Sequence, residues 1–410
     1  MSLHVVGAGL AGLSAAFALA QRGEGPRVIL HEASARAGGR CRSWHDARLG
    51  ATIDNGTHVV VGANRAVRAH LAALGVADRL HWFEDGIDFL DLRDGAGWRI
   101  AGPLDLARLA RRRGASPVRA ALTALRLASP LGAVRVGDRL DGATLGDALW
   151  DPLARAVMNT APSVAAAAPF ARVLRRTLAA GARAMSVAVA RSSLEESFVA
   201  PCLAALREAG ATLRLDSRLT AIRRTADAVT AMEFGDIHVS VGRRDRIVLA
   251  LPPWDLARLL PDLAIPFDAS PIVNFHVRLP SPVRDGPLLR GLVGGTAEWV
   301  LARDDIASAT VSAADLLAER DAADVAALLW RDVARALAID AALPAAWRVI
   351  KERRATPRQD VAFEARRPGA RTGLRNLVLA GDWVEPGLPC TIETALASGV
   401  RAADLLARGA

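Results

Sequence analysis

Six residues near the start, Gly7-Ala8-Gly9-Leu10-Ala11-Gly12, constrain this chain more than any other feature. They follow an apolar run, Leu3 to Val6, and open an Ala- and Leu-rich stretch over 10–22, so the pattern predicts strand, tight turn and helix. Gly7 permits the turn, Gly9 lets backbone approach a pyrophosphate, and Gly12 lets helix and strand pack closely. Leu10 and Ala11 begin the helix, whose free N–H groups and dipole favour negative charge. A second strand over 27–31 ends at Glu32 and Ala33, and a carboxylate there suits the ribose hydroxyls of an adenosine. The start is therefore a βαβ dinucleotide-binding unit.

Two further segments narrow the ligand. Just past Glu32 runs Ala37-Gly38-Gly39-Arg40-Cys41-Arg42-Ser43, where two glycines can close backbone over phosphate and Arg40 offers a forked donor. Near the other end, the apolar strand Leu377-Val378-Leu379-Ala380 leads into Gly381-Asp382-Trp383, and Thr391-Ile392 opens a helix over 392–408. That helix can place N–H groups against the pyrimidine end of a reduced flavin.

The Gly-Gly-Arg-x-x-Ser run resembles the signature of the amine oxidase and carotenoid desaturase superfamily of flavoproteins. The resemblance implies FAD rather than NAD. It also implies that Asp382 binds the ribityl chain and that backbone at Leu219 touches adenine. Ile53-Asp54-Asn55-Gly56-Thr57-His58, Arg354-Ala355-Thr356 and Gly387-Leu388-Pro389-Cys390-Thr391-Ile392-Glu393 are similar to the squalene-associated FAD-dependent family. Its best-defined members are the hydroxysqualene dehydroxylases of hopanoid biosynthesis. Asn55, Gly56 and Thr57 are then expected beside the cofactor.

The implied fold is α/β with α+β insertions and amine-oxidase-like. A discontinuous Rossmann-type FAD-binding domain is expected over 1–80, 201–258 and 346–410. A substrate-binding domain takes 81–200, largely helical from 104, and 259–345. The implied reaction is reductive removal of a hydroxyl from a long-chain isoprenoid, with His58 and Asp54 as candidate acids and His276 behind them. A histidine titrates near working pH. Trp82, Phe83, Trp98, Trp150, Phe170, Phe198, Phe275 and Trp299 are available to line a hydrocarbon tunnel.

Two rivals stay open: a carotenoid-type desaturase with reversed electron flow, and a flavin-binding partner of prenyl synthases without turnover. Amine oxidation is disfavoured, because Lys351 is the only lysine and there is no tyrosine to cage an amine. No second glycine fingerprint for NAD(P)H is visible, which points to a separate electron-donor protein.

The net charge of +9 suits an anionic surface. Neither zinc-finger spacing nor an aromatic-basic pattern is present, so nucleic acid is not expected. Cys41, Cys202 and Cys390 form neither a metal motif nor a disulfide framework, which suits a cytoplasmic setting. Arg108, Arg111, Arg112, Arg113, Arg119 and Arg126 alternate with leucines over 104–127, a basic amphipathic pattern expected to lie on the inner face of a membrane.

Overall fold

The computed structural model describes residues 1–129, 132–263, 267–283, 286–340 and 342–407. A five-stranded parallel sheet runs in the order Thr212–Arg214, Val28–His31, Leu3–Val6, Arg246–Leu249, Leu377–Leu379. The chain winds outward to one side of Leu3–Val6 and then to the other. A crevice therefore opens at the carboxyl end of that strand, where the glycine turn lies. All but the exposed edge strand Thr212–Arg214 are buried, which is why they read as unbroken apolar runs.

Two helices lock this sheet. Leu10–Leu19 and the C-terminal helix Ile392–Ala407 cross in close contact at Gly399, where a Cβ would lie 2.2 Å from the carbonyl of Ala11. Ser14 donates to the Leu396 carbonyl at 2.9 Å in the same contact. Only glycine allows the two backbones this approach.

A second sheet of seven strands forms the floor of the other lobe. Its order is Trp347–Pro357, Ala269–Arg278, Ile306–Val311, Trp299–Arg303, Leu288–Val293, Ile87–Asp91, Gly97–Ile100. Period-two alternation gives the sheet two unlike faces. Val273, Phe275 and Val277 pack with Ala307, Ala309 and Val311 against helix Ala322–Leu337. Asn274, Thr310 and Ser312 point the other way. Helices between 104 and 178 cover the far end of the sheet and close a separate apolar core around Trp150 and Phe170.

The chain crosses between lobes at places other than the expected boundaries. Trp347–Pro357, expected in the FAD-binding domain, pairs with Ala269–Arg278 in the seven-stranded sheet. Conversely Val187–Ala190, expected in the substrate domain, pairs with Leu80–Phe83 and Val60–Val61. Ala188 and Ala190 then pack in the same core as the glycine-turn helix. Each of these strands pairs with a segment remote in sequence, so partner choice was not readable from the segments themselves.

Candidate functional site

A cavity of about 1070 Å³ runs from the crevice of the parallel sheet into the second lobe. At the crevice end the glycine turn performs three different tasks. Gly7 has φ +100° and would carry a Cβ 2.5 Å from the Ala250 carbonyl. A Cβ on Gly12 would lie 1.8 Å from the Gly7 carbonyl, so Gly12 sets the helix–strand approach and stays outside the cavity lining. A Cβ on Gly9 would meet no atom within 4 Å and would project into free space. That space is the cradle a pyrophosphate needs, with Gly9, Leu10 and Ala11 on its wall.

The second glycine pair docks onto the first. Gly38 donates its N–H to the Ala8 carbonyl at 2.8 Å, and Gly38 and Gly39 both have positive φ. Glu32 accepts from the Ala8 N–H at 2.8 Å with one oxygen and from the Ser34 hydroxyl at 2.8 Å with the other. Glu32, Ala33 and Leu219 all border the same end of the cavity, where adenosine is expected.

Arg40 makes bonds that its motif does not foretell. Its guanidinium donates to Asp382 at 2.7 Å and to the Ala355 carbonyl at 2.6 Å. It therefore ties the glycine pair to the Gly381-Asp382 strand end and to the edge of the seven-stranded sheet. Asp382 is buried and borders the cavity, and Arg367 holds its carbonyl and those of Trp383 and Leu388. Gly381, Thr391 and Ile392 border the cavity as well, at the start of the C-terminal helix. Glu393 reaches back from that helix to accept from the N–H groups of Ala66 and Val67, both at 3.1 Å.

Asn55, Gly56, Thr57 and His58 form the wall between the two ends. The Asn55 carbonyl accepts from Asn274 at 3.2 Å, and Asn274 accepts from the Thr310 hydroxyl at 2.9 Å. Asn159 accepts from the Ala313 N–H and donates to the Thr356 hydroxyl. With Ser312 these side chains make a polar belt on the cavity wall. Beyond it the arm is apolar, lined by Ile87, Phe89, Leu106, Trp150, Leu174 and Trp299.

Three expectations are corrected here. Asp54 is outside the cavity lining: it accepts from Ser43 and the Leu194 N–H with one oxygen and from Arg303 with the other, so it fixes the loop. His276 is fully buried beside Ser308 at 2.8 Å, further along the face that carries Asn274, and burial lowers its pKa to about 4. Of the eight expected tunnel aromatics only Trp150 and Trp299 border the cavity, while Phe170, Phe198 and Phe275 are core. Aromatic residues pack wherever a core needs volume, and the sequence does not distinguish the two uses.

His58 does border the cavity, and no hydrogen bond to it is recorded among the described residues. Burial lowers its pKa; Asp54 opposes the shift and Arg40 adds to it. His58 is accordingly a neutral imidazole at pH 7. Lys351 donates to the Arg320 carbonyl and stays out of the cavity. Asn159, Thr310 and Ser312 of the belt were missed, although Ser308-Ala309-Thr310-Val311-Ser312 carries the alternation of a half-polar strand.

The glycine geometry separates binding from folding. Gly9→Ala is expected to keep the stability of the flavin-free protein within about 0.5 kcal/mol, as for an unstrained surface change. The same change places a methyl in the cradle and should lower flavin occupancy at least tenfold. Gly12→Ala should instead lower the melting temperature, because its Cβ clashes with backbone. Flavin absorbance per chain and thermal melts check both; equal effects of the two changes would refute the assignment.

The residues present thus offer a pyrophosphate cradle, and the comparisons with known proteins support a flavin cofactor. The family model for flavin containing amine oxidoreductase matches residues 10–407. A hydroxysqualene dehydroxylase of Zymomonas mobilis is 37% identical, with 98% of each chain covered. Another from Sinorhizobium fredii is 38% identical over the same shares. A 15-cis-phytoene desaturase of Glycine max matches at 39% over 22% of this chain. Among solved structures, cyclohexylamine oxidase from Brevibacterium oxydans superposes with a TM-score of 0.72 at 17% identity, covering 99% of this chain and 98% of its own. The chain belongs to the flavin containing amine oxidoreductase family, on the branch that holds the hydroxysqualene dehydroxylases.

Proposed function

We propose that this flavoenzyme holds FAD and converts hydroxysqualene to squalene by reductive dehydroxylation. One observation carries the reading: a single cavity joins a dinucleotide cradle to an apolar arm, with a polar belt at the junction. FAD held by the cradle at Gly9, Gly38, Gly39 and Asp382 would supply hydride once reduced by a separate donor protein. The arm receives the isoprenoid chain and keeps water from the electron-deficient carbon left when the hydroxyl departs. Asn159, Asn274, Thr310 and Ser312 suit a substrate that presents a hydroxyl. The full-length match to dehydroxylases and the short match to a desaturase point the same way.

Within this reading His58, neutral at pH 7, orients the hydroxyl and does not store the proton. Anaerobic mixing of pre-reduced protein with hydroxysqualene should reoxidise the flavin and yield squalene. Reduction of oxidised flavin by a polyene would move the protein to the desaturases. No reaction with either, in a yellow protein, would favour the non-catalytic partner.

The substrate enters from an anionic bilayer. Among the described residues no helix is long and apolar enough to cross a membrane. Instead Leu104, Val118, Leu122 and Leu125 are 59–75% exposed on helices Leu104–Arg112 and Pro117–Ala128. Arg111 and Arg119 share these helices, and Leu106 of the first lines the cavity arm. Arg113, expected on this surface, is held by Asp91 and Asp94 and stacks on Trp98. Leu122→Asp with Leu125→Asp should abolish co-sedimentation with anionic vesicles while leaving turnover in detergent unchanged. Unaltered co-sedimentation would refute the docking surface.

A further inference from the structure

We propose that Glu298 is the proton reservoir for departure of the substrate hydroxyl and delivers through the hydroxyl of Ser312; the inference rests on the dehydroxylase reading above. Glu298 closes the turn that precedes strand Trp299–Arg303. Its N–H donates to the Thr310 carbonyl at 3.0 Å, and its carboxylate accepts from the Ser312 N–H at 3.0 Å. The carboxyl therefore sits directly behind the wall that Trp299, Thr310 and Ser312 present to the cavity. Both Glu298 and Ser312 are buried.

The surroundings keep this carboxyl near its midpoint at neutral pH. Burial pushes it up to about 7, against the hydroxyl and amide of Ser312 and the positive charge of Arg155, while Asp151 adds to the rise. Arg155 and Asp151 lie on helix Asp151–Met158 and bond each other at 2.8 Å. From helix Ala322–Leu337, Asp332 accepts from the N–H groups of Thr296 and Ala297 in the same turn, and burial raises its pKa as well. Arg93 packs beside Gly294 but is held by Asp91. A carboxyl that is protonated about half the time at pH 7 can both release and regain a proton within a turnover. Asp54, the acid expected from sequence, is engaged by Ser43, Leu194 and Arg303, and His58 is neutral.

In the step, the Glu298 proton passes to Ser312 Oγ, and the Ser312 hydroxyl proton passes to the substrate oxygen. The C–O bond breaks with its electron pair on oxygen, which leaves as water. Reduced flavin, when bound, would supply the hydride that the carbon needs, and Glu298 regains its proton from solvent after product has left. A purely structural Glu298 would hold the turn by accepting from Ser312, which a glutamine does equally well.

The test is the pH profile of kcat/KM for hydroxysqualene with pre-reduced enzyme. The step needs the protonated carboxyl, so wild-type activity should fall as pH rises through about 7. Glu298→Gln should lower kcat/KM about 100-fold at pH 6 and abolish that basic limb, with melting temperature and flavin content unchanged. Glu298→Asp should keep the limb, and Ser312→Ala should lower the rate while keeping its amide bond. Infrared difference spectra without substrate should show a carboxyl band titrating near pH 7 in wild type and absent from Glu298→Gln. Wild-type turnover with an unchanged profile in Glu298→Gln, or no such band, overturns the Glu298 assignment alone. A wild type that converts no hydroxysqualene at any pH overturns the parent reading, and the assignment with it.

Discussion

The guanidinium of Arg40 joins three parts of the chain that are far apart in sequence. It meets Asp382 across 342 residues and the Ala355 carbonyl across 315. The glycine turn and the C-terminal strand already share a sheet and a core; the Arg40 bonds add a side-chain tie between them and fasten both to the seven-stranded sheet. The Asp382 carboxylate is nearly inaccessible, so an unpaired charge there would be costly, on the order of 3 kcal/mol or more. The partly exposed arginine softens that figure. The same pair borders the cavity, so the contact that closes the fold also presents charge to the cofactor.

The second determinant is the alternation of one sheet. Val273, Phe275, Ala309 and Val311 satisfy the helix beneath, which leaves Asn274, Thr310 and Ser312 on the opposite face. Helical segments then roof the rest of that face with leucine, valine and tryptophan. A polar belt beside the flavin cradle and a dry arm beyond it follow from period-two geometry plus the roof. This division matches the needs of a reaction that handles a hydroxyl and an unstable carbon within a few ångströms of each other.

The cofactor end was legible because its chemistry is local. A phosphate cradle is made of backbone, and only glycine gives the turn, the open approach and the tight packing at Gly7, Gly9 and Gly12. The order of motifs also survived intact from Glu32 through Arg40 to Asp382. Arg40 shows the limit: its residue type was informative, but its partner lay beyond any local pattern. Asp54 reads as an acid near a histidine, yet Arg303 and two other donors take it up, and none of them is a sequence neighbour. The aromatics failed because apolar residues do not reveal which core receives them, and the strand at 347–357 because its pairing partner, Ala269–Arg278, is remote in sequence. Glu298 had no signal at all: a carboxylate becomes a proton store only when tertiary packing removes its water.

The most direct check on the whole account is a crystal structure of the protein with FAD and squalene bound together. The diphosphate is expected against Gly9 and Gly39, the isoalloxazine beside Asn55 to His58, and the squalene chain along Leu106, Trp150 and Leu174 with its middle at the polar belt. Squalene density outside that arm, or a flavin ring walled off from the belt by protein, would contradict it.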